Sequence, residues 1–270
     1  MPLKPGITAH CIVKNEEYFI WYALQSTLPY VEEMLIYDTG STDQTASIIK
    51  KLIKENPTKK ITFQQKGIVN TDQHTALRNE MINKTTTEWF MILDGDEVWP
   101  HQELQASLSQ IKKLPSTKSC VLSKFILSAG DVYHYSTWGG YSYDWGLKGN
   151  YTPRFLRKKD GIHWRGKFDG DTLFYDSGQR VTSKANCLVS DHYFFHFGIL
   201  PRSSRDRDVS LGHGRRVVDY TLLGSLGHGK KLPPSIHPPE IISKAGPFHD
   251  LITKKVTLNA SMRNFLRKYT

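Results

Sequence analysis

Acidic residues in this chain gather where short apolar runs end. Asp94-Gly95-Asp96 closes the run EWFMILD and sets two carboxylates two residues apart. Asn15-Glu16 follows ITAHCIV, and EMLIY runs into Asp38-Thr39-Gly40-Ser41-Thr42-Asp43. Carboxylates sharing one crevice repel unless a cation or hydrogen-bond donors neutralise them. Such oxygen ligands suit Mg²⁺ or Mn²⁺. An ion held this way on a diphosphate stabilises the charge that develops as the bond to that leaving group breaks. Gly95, with no Cβ, lets a phosphate approach the backbone. In isolation the same residues do humbler work: DGD makes a turn and GSTD caps a helix. Their joint placement points to chemistry.

That placement depends on the elements around them. ITAHCIV (7–13), EMLIYD (33–38), ITFQQ (61–65), EWFMILD (88–94) and SCVLSKFIL (119–127) read as strands. Between them apolar residues recur at helical spacing. One stripe runs from Phe19 to Leu28 and stops at Pro29; a second runs from Ala46 to Ile53. Asp72 to Asn83 reads as a third helix, and Leu104, Leu108 and Ile111 mark a fourth after Pro100. Strands alternating with helices predict an α/β fold, a mostly parallel sheet with helices on both faces. Ligands of such sheets bind outside the carboxyl ends of the strands, where all three acidic loops lie.

The 270 residues include 36 Lys/Arg and 26 Asp/Glu, a formal charge of +10. The charge is uneven: 10 basic against 14 acidic residues in 1–110, 13 against 7 in 111–200, and 13 against 5 in 201–270. The basic second half suggests an anionic partner, although a solvated basic surface has the same composition. Apolar residues at 39% exclude a disordered chain. Cys11, Cys120 and Cys187 are odd in number and far apart in sequence, so neither a disulfide framework nor a CxxC metal site is expected. No apolar run reaches the ~20 residues of a membrane span, and the first residues lack a signal-peptide core. A cytoplasmic location is therefore expected, with peripheral membrane contact through the basic half. The sequons at Asn83, Asn150 and Asn259 read as chance.

Four stretches together, IVKNEE (12–17), YDTGSTDQT (37–45), ALRNEM (76–81) and EWFMILDGDE (88–97), resemble in order and spacing the family 2 glycosyltransferases of GT-A fold. The resemblance covers about residues 7–125. It implies a nucleotide-sugar donor, most commonly a UDP-sugar, a Mn²⁺ or Mg²⁺ ion, and inversion at the anomeric carbon. It also implies roles. Glu16, Asp38 and Asp72 would frame the base and ribose. Arg78 and Asn79 would lie near the diphosphate and sugar. Asp94 would approach the ribose or sugar, and Asp96 would ligate the metal. Residues 1–128 would form the donor half, 129–200 the acceptor half of the same domain, and 201–270 a basic lid or acceptor-binding extension.

Inversion needs a general base to deprotonate the acceptor hydroxyl. The segment 153–174 resembles one that ends in a Gly-x-Val-His-Glu element in a branch of the family. Here Gly166-Lys167-Phe168-Asp169-Gly170-Asp171 has no Glu, which makes Asp169 the first candidate and Asp171 the second; both also suit a turn. In DHYFFHFG (191–198), His196 best matches a metal-completing histidine, ahead of His192. Gly-His-Gly occurs in LGHGRR (211–216) and LGHGKK (226–231), each followed by two basic residues that could grip phosphate. Two acceptors fit the basic half. One is a bacterial surface glycan such as a phosphorylated lipopolysaccharide core, the favoured reading. The other is DNA with hydroxymethylated bases, which Trp138, Tyr141, Tyr143, Trp145, Tyr151 and Trp164 would stack. The same aromatics also suit a core.

Overall fold

The structure is a computed structural model that describes residues 2–137, 140–168, 172–200, 229–244, 246, 250 and 253. In chain order its elements begin with β1 (Lys4–Val13), α1 (Ile20–Thr27), β2 (Glu33–Asp38), α2 (Thr45–Glu55) and β3 (Lys60–Gln65). They continue with α3 (Thr71–Lys84), β4 (Thr87–Ile92), β5 (Glu97–Val98), α4 (His101–Lys112) and β6 (Cys120–Ala129). Next come β7 (Asp131–Tyr135), β8 (Tyr141–Ser142), β9 (Lys148–Gly149) and β10 (Tyr151–Arg157). The last are β11 (His163–Arg165), β12 (Thr172–Phe174), β13 (Cys187–His196) and β14 (Lys230–Lys231). Every strand and helix expected over residues 7–127 is present.

One sheet organises the molecule, in the order β14-β7-β6-β10-β4-β1-β2-β3. β3, β2, β1 and β4 run parallel. β10 is antiparallel between β4 and β6, and β13 lies parallel to β6. The chain moves from β1 to β2 on one side and returns to place β4 on the other. That reversal opens a crevice at the carboxyl ends of β1 and β4.

Alternation along the strands builds a core on each face. Met34 and Ile36 of β2 pack with Ile20, Leu24, Ile48, Ile49 and Leu52 of α1 and α2. Leu35 and Tyr37 point the other way, onto Met81 of α3. Helix α3 starts sharply because Asn70 and Gln73 form a reciprocal capping box: Gln73 N–H donates to Asn70 Oδ1 at 2.9 Å, and Asn70 N–H donates to Gln73 Oε1 at 2.8 Å. A further core cluster joins Phe19, Val98, Phe195 and Phe197 to Ile242, with Leu232, Ile236 and Ile241 packed against it. The segment 229–244 is therefore a strap over the main body. Among the described residues no helix is long and apolar enough to cross a membrane.

Candidate active site

The loops after β1 and β2 are laced together before any ligand is considered. Asn15 adopts a left-handed φ of 55°, and its Oδ1 accepts from Thr42 N–H at 2.7 Å. Its own N–H donates to Ser41 Oγ at 2.9 Å. Asp43 accepts from the N–H groups of Thr45 and Glu17, at 2.9 and 3.2 Å. GSTD thus leads into α2 without capping it: the N-cap is Gln44, which makes no side-chain cap hydrogen bond, and Asp43 instead accepts from backbone amides around the first turn. Asp38 is buried at the end of β2; its Oδ1 accepts from Ser41 N–H at 2.8 Å and Gly40 N–H at 3.2 Å. Its Oδ2 is buried without a hydrogen-bond partner among the described residues. A buried acceptor left over costs about 1–3 kcal/mol, so this oxygen is suited to a donor group on a ligand.

The loop after β4 forms the second corner. Gly95 is also favoured by packing: a Cβ there would lie 3.0 Å from both Glu16 Cγ and Val13 Cγ2. Asp94 keeps 44% of its side chain exposed toward the crevice, while Asp96 and Glu97 are buried. Arg154, nine-tenths buried, donates through Nη2 to Asp94 Oδ2 at 2.9 Å and to Glu97 Oε1. Its guanidinium also lies 5.1 Å from the centre of the Phe194 ring. Part of the neutralisation that the acidic cluster demands is thus internal, and the sequence reading had not singled out Arg154. Burial pushes the Glu97 carboxyl up to about 8 against the pull of Arg154.

His196 ends β13 with its Nε2 3.4 Å from Asp96 Oδ2. Burial opposes a charged imidazole there, but Asp96, Glu97 and Asp94 together outweigh it, and the His196 pKa lies above its ordinary value. His192 on the same strand pairs instead with Glu103 of α4 at 3.0 Å. The strand geometry thus separates the two histidines, giving one to the acidic loop and the other to a helix.

Beside Asp94 a pocket opens between α3 and the segment after β10, walled by His10, His74, Arg78, Trp164 and Phe168. The Arg78 guanidinium lies 4.3 Å from the Trp164 ring centre and 5.2 Å from that of Phe168. Asn79 clamps the backbone of this wall: its Oδ1 accepts from Trp164 N–H at 2.7 Å and its Nδ2 donates to Trp164 O at 3.0 Å. Both amide atoms are so committed, and Asn79 shapes the pocket by holding Trp164. His10, on the pocket floor, stacks on Phe90 at 4.7 Å; burial and Lys158 lower its pKa to about 3, so it is neutral.

The structure therefore brings Glu16, Asp38, Arg78, Asn79, Asp94, Asp96 and His196 to the carboxyl edge of one sheet. Asp72 lies farther out, on the first turn of α3, in an exposed pair with Lys167 at 3.5 Å. Asp169 and Asp171 lie outside the described residues, as do Trp138, LGHGRR and the first part of LGHGKK. Tyr143, Trp145, Tyr151 and Trp164 pack against the cluster of Phe90, Leu122 and Leu156, so these aromatics are wall and core. Tyr141 stays exposed at 56%.

The model of the family "Glycosyl transferase family 2" matches residues 9–168, more than half of the chain. The chain belongs to that family. This glycosyltransferase is 28% identical over 214 residues to the SPbeta prophage-derived glycosyltransferase SunS of Bacillus subtilis (strain 168). That alignment covers 77% of this chain but only 44% of the relative. Among solved structures it is similar to S. aureus TarS 1-349 in complex with UDP-GlcNAc. That likeness has a TM-score of 0.51 and 16% identity over 82% of this chain and 65% of the other. It is also similar to the mannosyltransferase PcManGT from Pyrobaculum calidifontis in complex with GDP-Man and Mn²⁺. There the TM-score is 0.48, with 15% identity over 87% of this chain and 68% of that one. The GT-A fold and the family expected from the sequence both hold.

Proposed function

We propose that this glycosyltransferase moves a sugar, with inversion, from a UDP-sugar to a hydroxyl of an anionic acceptor, using Mn²⁺ or Mg²⁺. The observation that carries this reading is the arrangement after β4. Asp94 faces the Arg78 pocket, and Asp96 meets His196 at the strand reversal between β1 and β4. The Asp96 carboxylate suits Mn²⁺ or Mg²⁺, and an added imidazole favours the transition metal Mn²⁺ of the two. Two protein donors leave most of its shell to diphosphate oxygens and water. When bound, the ion would supply charge neutralisation on the departing diphosphate.

The chain's own groups would do the rest. Asp38 Oδ2 would accept from the nucleoside, and Arg78, oriented by Trp164 and Phe168, would face the phosphates. Asp169, with Asp171 as the second candidate, would take the proton from the acceptor hydroxyl. The TarS complex supports a UDP-sugar donor through shared fold alone. The acceptor is read as a phosphate-bearing surface glycan because of the basic second half. DNA is the weaker reading, since four aromatics that could have stacked a base are packed into the molecule.

The test is nucleotide release from a panel of nucleotide sugars with Mn²⁺ or with chelator. It is run without acceptor, with phosphorylated glycan and with hydroxymethylcytosine DNA. Release from one UDP-sugar, abolished by chelator and stimulated by glycan, is the expected result. A mass gain on the digested nucleoside would move the acceptor to DNA. Release that survives chelation would overturn the metal assignment.

A further inference from the structure

Arg154 occupies an unusual place in its strand. Along β10, Pro153 is the partner of Leu122 on β6, yet Phe155 is the partner of Val121, the very next residue. Arg154 is thus the extra residue of a β-bulge, and bulges re-aim side chains. In a regular strand Arg154 and Phe155 would point to opposite faces. Here Phe155 joins the core on the α1–α2 face, and Arg154 lies over Phe194 of that same core. The bulge sends a guanidinium under the loop after β4.

As a stabilising device this is a poor choice. A buried ion pair recovers little net stability, because both charges must leave water. Arg154 Nε is moreover buried without a hydrogen-bond partner among the described residues. What the arrangement does accomplish is geometric. Glu97, fully buried, anchors Nη2, and Nη2 in turn ties Asp94 Oδ2 at 2.9 Å. The other Asp94 oxygen is left for the pocket.

We propose that Arg154 is a positioning residue for the transfer reaction: delivered by the bulge and anchored on Glu97, it fixes the carboxylate of Asp94 toward the donor. This rests on the functional reading above.

Three variants test it: Arg154→Lys, Arg154→Met, and Arg154→Met combined with Glu97→Gln. Thermal melting, calorimetric UDP binding in Mn²⁺, and kcat and KM for donor hydrolysis are measured on each. Arg154→Met alone leaves Glu97 buried without its partner and should melt well below wild type. The double variant removes the guanidinium together with its buried carboxyl anchor and should recover most of that loss. Its UDP affinity and kcat/KM should nevertheless stay down by roughly 10- to 100-fold, the scale of a misplaced contact group. Arg154→Lys keeps the charge without the fork and should recover part of both. A double variant that binds UDP and turns over donor like wild type would overturn the positioning role. If the double variant fails to fold, Arg154→Lys decides: a raised KM at unchanged melting supports the role, and an unchanged KM overturns it. Wild-type protein that binds no nucleotide would overturn the functional reading and this inference together.

Discussion

His196 Nε2 stands 3.4 Å from Asp96 Oδ2, joining the last residue of β13 to the loop after β4 across a sequence separation of 100 residues. Neither residue is near the other in the chain, and sheet pairing alone aligns them. β13 pairs with β5 so that His196 is the register partner of Glu97, one residue beyond Asp96.

Two substitutions should therefore affect metal use unequally. Asp96→Ala should abolish Mn²⁺-dependent nucleotide release. His196→Ala should raise the Mn²⁺ concentration needed for half-maximal release by roughly 10- to 100-fold, as for a residue that supports a metal. Release rates across a Mn²⁺ titration read both effects. A variant at either position with a wild-type Mn²⁺ curve would remove that residue from the site.

Arg78 lies against two aromatic faces and lines the pocket next to Asp94. Arg78→Ala should raise the donor KM by about tenfold, near 1.4 kcal/mol of binding. Arg78→Lys should recover little, because a point charge does not reproduce the stacked plane. Initial rates against UDP-sugar concentration give the answer.

The neutral, buried His10 predicts a pH effect on stability. Its folded pKa is about 3 against an ordinary 6.5. As pH falls below 6.5 the unfolded chain takes up a proton there and the folded chain does not. Stability from this residue is present above 6.5 and is lost progressively down to about 3. His10→Gln should reduce the loss between pH 7 and 5 by about 2 kcal/mol. Urea melts of both proteins at the two pH values would show it.

Gly95→Ala should test the packing role of the glycine. The added Cβ meets Val13 and Glu16 at 3.0 Å, and both belong to the neighbouring edge of the site. Overpacking of this kind costs roughly 1–3 kcal/mol. A lowered melting temperature is expected together with a raised donor KM, because Asp94 and Asp96 flank the displaced backbone.

The first half of the molecule was legible because its signals are local. Apolar strands, capping residues and proline stops all act within a few residues, and they placed β1 to α4 and the three acidic loops. The nearness of His196, rather than His192, to the acidic loop was also legible, from its place in a strand-like segment. Arg154 was not, because nothing in PRFLR states that a bulge will turn it under Asp94. Its one visible signal is Pro153, a residue that tends to sit at bulges and sheet edges. The Asn79 clamp on Trp164 was hidden for a related reason: it links residues 85 apart through a backbone that sequence pattern does not describe. Cys120 and Cys187 read as distant, yet they are register partners on β6 and β13. Long-range register is the information that periodicity lacks.

The strap over residues 229–244 closes the far side of the wall behind His196. Phe195 and Phe197 flank His196, and Val98 adjoins Glu97; all three share a core with Ile242. Phe19, Tyr22, Ile126 and Val132 fill the rest of that core from elements made earlier in the chain. Ile242 is therefore the member reached across the longest loops, and closing a loop of that length costs entropy before the contact returns anything.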